Sequence, residues 1–341
     1  MLAGEGEGTV RKPGQGWASG SRGRYGTDVT RALAPRALPA GGSRAPGAGT
    51  RLHGLVVTAR PRHWVKNVLL FAAPGAAGVL GQAGPLARAA LAFVAFCAVS
   101  SGTYFANDAL DAEADRAHPV KRDRPVAAGL ISPAAALAVA AALVAAGTAL
   151  AAAVSWRLAV VVGVYIVVQA AYNIKLKHLA VWDLSCVASG FVIRAVAGGV
   201  AAAVPVSQWF LIVATFGSLL MVTGKRLAEQ LELGDDGATH RRTLQQYSAG
   251  FLRTVLAISC GGMMLGYGLW AFDLQTAHRH HADPLWFELS IVPMLIAVLR
   301  YTFLVEQGHG ARPERLAFSD RSLQVLGVVW LALFTTGVYA H

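Results

Sequence analysis

The sequence predicts an all-α integral membrane protein that crosses the bilayer nine times. Three observations lead there. Long apolar runs alternate with short polar segments. Only 14% of the 341 residues are charged and 55% are hydrophobic, whereas soluble domains carry about 25% charged residues. Basic residues also crowd every second loop. About 20 apolar residues at 1.5 Å rise cross a ~30 Å hydrocarbon core, and a helix satisfies its own backbone groups in lipid.

Residues 1–55 are rich in Gly, Ala, Arg and Pro, with almost no large aliphatic side chains in the first 30. That composition predicts a disordered tail. It has no compact apolar segment of the signal-peptide kind. A functional start near Val56 or Val57, with the tail as an over-extension, is an open alternative. Residues 56–341 are expected to form the transmembrane domain. Its spans are predicted at 65–81, 86–106, 133–154, 157–173, 180–203, 207–223, 251–272, 285–305 and 322–340. Lys66 and Asn67 stand at the start of the first, and Pro74 and several glycines interrupt it.

The loops after the even-numbered spans carry Arg116, Lys121, Arg122, Arg124, Lys175, Lys177, Lys225, Arg226, Arg241, Arg242, Arg312, Arg315 and Arg321. Those after odd-numbered spans carry only Arg88, Arg157 and Arg279. This bias predicts a cytoplasmic N-terminus and an external C-terminus. It also accounts for much of the net charge of +11, so nucleic acid is not the expected partner. Cys97, Cys186 and Cys260 lie in apolar runs without metal-ligand spacing and are expected only to pack.

The segment Asn107-Asp108-Ala109-Leu110-Asp111-Ala112-Glu113-Ala114-Asp115 closes the second span. On a continuous helix its three aspartates share one face. Carboxylates at that spacing repel unless a cation sits among them, and Mg²⁺ takes one or two carboxylates together with substrate phosphates. The bland alternative is an ordinary acidic loop. Four basic patches fall on the same predicted side: Arg60 to Asn67, including Lys66; His118 to Pro125, including Lys121 and Arg124; Tyr172 to His178, including Lys175 and Lys177; and Gly224 to Glu229, including Lys225. Together they suit a cavity holding a metal-bound polyphosphate. Taken singly, each has an equal alternative in topology and headgroup contacts.

Asp183 and Arg194 are ionisable residues inside the fifth span, eleven positions apart and so on one face. Arg194 is expected to line the cavity rather than to form a purely structural pair. His278, His280 and His281 are read as a solvated loop, not a metal site. Gly262 with Gly266, and Ser185 with Ser189, have the spacing of close helix contacts. No Ser-His-Asp order or Walker loop is present.

The pattern Asn107-Asp108-x-x-Asp111-x-x-x-Asp115 resembles the first aspartate-rich motif of the UbiA prenyltransferase superfamily. The four basic patches, with Tyr267-Gly-Leu-Trp270-Ala-Phe as a weaker match, resemble the decaprenyl-phosphate phosphoribosyltransferase branch. The resemblance spans about 58–341 and implies nine helices around a central cavity. It further implies Mg²⁺ held by Asp108, Asp111 and Asp115, with Asn107 assisting. Lys66, Asn67, Lys121, Arg124, Tyr172, Lys175, Lys177, Arg194 and Lys225 are the implied substrate-binding residues.

One departure matters. The second Asp-x-x-x-Asp motif of aromatic prenyltransferases is absent: Val187 stands four after Asp183, and Asp235-Asp236 has the wrong spacing. That favours a different diphosphate donor, and the resemblance to the branch implies transfer of 5-phosphoribose from phosphoribosyl diphosphate to a polyprenyl phosphate such as decaprenyl phosphate, for cell-wall arabinan precursors. The alternatives are prenyl transfer to an aromatic acceptor, and a phosphate-lipid transporter. Expected partners are the two substrates, membrane lipids and, as an assembly, a homo-oligomer (a trimer), in the plasma membrane.

Overall fold

The computed structural model describes residues 48–233, 243–277, 285–311, 316 and 319–339. Every regular element among them is helical. The α-helices run α1 (Ala48–Ala59), α2 (Ala72–Ala76), α3 (Ala83–Leu110), α4 (Ala112–Ala117), α5 (Pro133–Val154), α6 (Trp156–Ile174), α7 (Trp182–Ala202), α8 (Gln208–Leu233), α9 (Ala249–Ala277), α10 (Leu285–Glu306) and α11 (Arg321–Tyr339). Residues 48–55, which the sequence groups with the tail, form most of α1. His278, His280, His281, Asp235, Asp236, Arg241, Arg242, Arg279, Arg312 and Arg315 lie outside the described residues.

Among the described residues, eight helices are long and apolar enough to cross a membrane: α3 and α5 to α11. The ninth expected span, 65–81, differs. It is a 3-10 helix, Pro61–Phe71, continued by the five-residue α2. A 3-10 helix rises ~2.0 Å per residue against 1.5 Å for an α-helix, so the two pieces have a contour of about 30 Å, comparable to a hydrocarbon core. Its polar residues explain the irregularity. Asn67 is buried and hydrogen-bonded instead of facing lipid. The segment crosses α7 so closely that a Cβ at Gly198 would overlap the Leu70 carbonyl.

Capping residues end and start the helices where the sequence places them. Ser132 precedes Pro133 and accepts from the Ala135 amide at 3.2 Å. Ser155 closes α5 and opens α6 at once: its amide reaches Ala151, and its hydroxyl accepts from the Leu158 amide at 3.1 Å. A serine hydroxyl satisfies one of the first-turn amides that a helix otherwise leaves unpaired.

Lipid gives apolar side chains no hydrophobic reason to associate, so close approach between small residues becomes the packing force. A Cβ at Gly102 would lie 2.9 Å from the Ala140 carbonyl oxygen, joining α3 to α5. Gly262 and Gly266 do the same for α9 on α8, where an added Cβ would meet Phe216 and Ile212. Phe96, Val99, Leu158 and Val162 fill one core among α3, α5, α6 and α7. Leu184, Leu220, Leu252 and Val298 fill another among α7 to α10. Tyr267 and Trp270 lie in an aromatic core with Phe210, Phe287 and Phe334. Val160, Val164 and Val167 on α6 and Val325 and Val328 on α11 are exposed, as lipid-facing positions require.

At the start of α11, Asp320 accepts from Arg300 Nη2 at 2.7 Å and from the Leu323 amide at 2.9 Å. The Arg300 hydrogen bond holds the Asp320 carboxyl below the usual carboxylate range. A depressed folded-state value contributes stability above the unfolded value and loses it as pH falls through the folded one. Thermal unfolding in detergent should therefore find the wild type above Asp320→Asn at neutral pH, with the gap closing as pH drops below about 4.

Candidate active site

The acidic motif sits where α3 gives way to α4. Backbone bonds from Asp111 N to Asn107 O and from Asp115 N to Asp111 O carry the helical path through. Asp111 itself, at φ −89° and ψ 3°, is off the α geometry and turns α4 away from α3. The one-face arrangement expected of a continuous helix is thereby split. Asp108 and Asp115 stay together and share Arg124, whose Nη1 lies 3.3 Å from Asp108 and 2.7 Å from Asp115. Asp111 points elsewhere and receives Lys177 Nζ at 3.1 Å. Arg60 Nη2 lies 2.6 Å from Asp108, and Lys121 Nζ lies 3.9 Å from Asp115. Asp108 is 2% exposed, so these cations replace the water it has lost.

Each cation is positioned by local structure. Arg60 has left-handed φ 53° and ψ 58°, unusual for a non-glycine residue. That bend is pinned to α3, because Ser101 donates to the Ala59 carbonyl at 3.0 Å and accepts from Trp64 Nε1 at 3.0 Å. Lys177 lies on the α6–α7 connection. Thr243 braces this connection by donating to the Lys177 carbonyl at 2.7 Å. The Val181 amide donates to the Tyr247 hydroxyl at 2.8 Å, and Val181 itself holds φ 67°. Burial pushes the Tyr247 hydroxyl pKa up, which keeps it a neutral partner for that amide.

A separate ionic group lies beside it. Asp183, fully buried at the start of α7, accepts from Arg226 Nε at 3.0 Å and from the Tyr172 hydroxyl at 3.0 Å. Arg226 also reaches Glu229 at 3.0 Å, and Lys225 stands 3.8 Å from the same carboxylate. Asp183 thus pairs with Arg226 and not with Arg194.

Deeper in the bundle, a cavity of about 90 Å³ is lined by Lys66, Tyr104, Gln169, Phe191 and Arg194, among others. Tyr104 is one turn along α3 from Asp108, which links the cavity to the acidic motif. Arg194 donates to Asn67 Oδ1 at 2.7 Å, to the Gly190 carbonyl at 2.6 Å and to the Tyr165 hydroxyl at 3.0 Å. Asn67 in turn donates to Cys97 Sγ at 3.2 Å.

The structure therefore gathers Asp108, Asp115, Lys121 and Arg124 in one ionic group, sets Asp111 and Lys177 as a separate pair one turn along, and places Lys66, Asn67, Tyr172 and Arg194 around the cavity. Asn107 contributes its carbonyl to the helical path. Lys175 caps the end of α6 and is exposed, neither paired with the carboxylates nor lining the cavity. Lys225 pairs with Glu229. Arg60, Arg226 and Gln169 were not singled out as site residues from the sequence. Gln169 had a signal, being a lone amide in the apolar run of α6; Arg226 adjoined Lys225; Arg60 opened a basic patch. Among the described residues no group of three or more His, Cys, Asp or Glu side chains is arranged to hold a metal ion. The carboxylate oxygens face basic side chains of the chain instead.

The UbiA prenyltransferase family model matches residues 68–334, nearly the whole of the helical bundle. The chain belongs to the UbiA prenyltransferase family. Within the family, it is similar to the decaprenyl-phosphate phosphoribosyltransferase of Mycolicibacterium smegmatis, 44% identical over 297 residues that cover 84% of this chain and 92% of that one. The enzyme of the same name from Corynebacterium glutamicum is 45% identical over 290 residues, covering 84% and 87%. The fold is that of a UbiA homolog from Archaeoglobus fulgidus bound to DMAPP and Mg²⁺, with a TM-score of 0.64 at 18% identity over 84% of this chain and 99% of that one.

Removing one partner of a buried ion pair strands the other in low dielectric, at a cost of about 3–5 kcal/mol. Arg226→Gln should lower the unfolding midpoint in detergent well below that of the wild type. The double variant Asp183→Asn with Arg226→Gln should recover most of the loss.

Proposed function

We propose that this protein transfers 5-phosphoribose from phosphoribosyl diphosphate to a polyprenyl phosphate, such as decaprenyl phosphate, and releases diphosphate. The observation that carries this reading is the convergence of Arg60, Lys121, Arg124 and Lys177, from three separate stretches of chain, on Asp108, Asp111 and Asp115. Such a group holds both cations for phosphate oxygens and carboxylates for a divalent ion. The relatives named decaprenyl-phosphate phosphoribosyltransferase support the substrate pair.

The all-oxygen set of Asp108, Asp111 and Asp115 has the chemistry Mg²⁺ takes, which is one or two carboxylates completed by phosphate oxygens and water. Bound there with the donor, Mg²⁺ would neutralise charge on the departing diphosphate. The side chains that contact these carboxylates would then be available to the donor. Arg60 and Arg124 offer planar guanidinium donors, and Lys121 and Lys177 offer ammonium groups, for the phosphate oxygens.

In the reaction, an acceptor phosphate oxygen forms a bond to ribose C1 while the C1–O bond to diphosphate breaks. The bonding pair leaves with the diphosphate. The acceptor is already an anion, so no base is required, and the chain's contribution is orientation and charge. Asp183 is enclosed by Arg226 and Tyr172 and is not disposed as a second metal-binding motif. That favours a donor other than an isoprenyl diphosphate. The positive-inside bias of the loops supports a cytoplasmic face for the acidic motif, in the plasma membrane where such lipid-linked precursors are made.

Membranes containing the protein should move label from phosphoribosyl diphosphate into the lipid fraction when polyprenyl phosphate and Mg²⁺ are supplied. Label that stays water-soluble, together with prenyl transfer from a prenyl diphosphate to an aromatic acceptor, would overturn the reading. Asp108→Ala and Asp111→Ala should insert and purify yet lose about 100-fold or more in turnover at saturating Mg²⁺.

A further inference from the structure

The basic residues around the site fall into two electrostatic classes. Arg60, Lys121, Arg124 and Lys177 each face an aspartate of the acidic motif, and Arg226 faces Asp183. Arg194 is different. It is 6% exposed, and its hydrogen-bond partners among the described residues are all neutral: an amide, a backbone carbonyl and a phenol. A guanidinium carries five N–H groups, and these partners use three. The Tyr165 ring lies 4.8 Å from the guanidinium carbon and eases its burial, without supplying a negative charge.

A buried cation without a counter-ion is costly to maintain, and intramembrane charges usually mark a ligand site. Here the cation lines a cavity rather than packed core. Asn67 and Tyr165 hold it in one orientation, from the 3-10 segment and from α6. A second basic residue, Lys66, lines the same cavity, with its ammonium 5.8 Å from the Phe191 ring centroid. Gln169 and Tyr104 add neutral hydrogen-bonding groups, and Val187 and Phe191 add apolar wall. Arg194 lies eleven residues beyond Asp183 along α7, or about 16 Å of helix.

We propose that this cavity is a phosphate monoester subsite, with Arg194 as its fixed cation and Lys66 as its second, distinct from the diphosphate group at the acidic motif. It rests on the transferase reading above only for the choice of probes. Two monoesters belong to that reaction: the 5-phosphate of the donor and the phosphate of the lipid acceptor. Both share the dianionic oxygen set that a buried guanidinium and an ammonium recognise.

The test is direct binding to the purified full chain in detergent, by titration calorimetry, without turnover. The probes are ribose 5-phosphate, farnesyl phosphate, and farnesol as an uncharged control. At least one monoester should bind and farnesol should not compete with it. Arg194→Gln and Lys66→Gln should each weaken that monoester by about 30-fold or more, as loss of one member of a buried charge pair does. Mg²⁺–diphosphate binding should change by less than about 3-fold in the same variants, because its partners are elsewhere. Dependence for ribose 5-phosphate assigns the subsite to the donor, and dependence for farnesyl phosphate assigns it to the acceptor. Should Arg194→Gln fail to fold, Arg194→Lys and Lys66→Gln decide. Monoester affinity unchanged in the folded variants overturns the proposal, as does an equal loss of Mg²⁺–diphosphate binding. Failure of label transfer with Arg194-dependent monoester binding would sink the transferase reading and leave the subsite standing.

Discussion

A carboxylate removed from water must meet a cation, and most of the motif end of this bundle follows from that requirement. Asp108, Asp115 and Asp183 are all nearly or fully buried, at 2%, 3% and 0% exposure. Their partners come from the bend at Arg60, the loop at Lys121 and Arg124, and the far helix end at Arg226. Asp111, nearer the surface, draws in Lys177 from the α6–α7 connection. These contacts tie together segments that lie far apart in the chain. The backbone accommodates them at some expense, with Arg60 and Val181 held at positive φ. Strain of that kind persists only where surrounding contacts over-determine it, and it concentrates at functional sites.

The same requirement separates two kinds of place for an anion. In the ionic group at the motif, carboxylates and cations neutralise one another, so on the proposed reading a phosphate would have to exchange partners there. Arg194 itself has only neutral hydrogen-bond partners among the described residues. The first kind suits a ligand that brings its own divalent ion, because metal and phosphate enter together and charge stays balanced. The second suits a bare anion.

Much of this was legible in the sequence. Eight spans were readable because an apolar run of sufficient length has few other uses, and the acidic motif stood out against them. The ninth was misread in form. Lys66 and Asn67 announced a break, yet nothing local says that the chain will wind as a 3-10 helix and lean on Gly198. The pairing of charges was illegible for a related reason. Arg194 was expected to line the cavity, but the sequence named no partner for Asp183, and only the packing of α7 on α8 brings Arg226 to it. Arg60 was read only as the start of a basic patch, because its contact with Asp108 depends on a left-handed bend that an arginine seldom adopts. Lys175 and Lys177 are two residues apart and looked equivalent; the brace from Thr243 distinguishes them.

The single-residue turn at Ser155 has a consequence for how the chain enters the membrane. Because Ser155 ends α5 and begins α6, no polar loop separates these helices, and Trp156 and Arg157 stand exposed at the tip. Two apolar helices joined so tightly have almost nothing hydrophilic to drag across the bilayer. Such a hairpin suits entry as one unit, and a tryptophan ring and an arginine head at its tip suit an interface, where such side chains anchor. The pair also gives α3 a wall to pack on, which the backbone meets closely at Gly102.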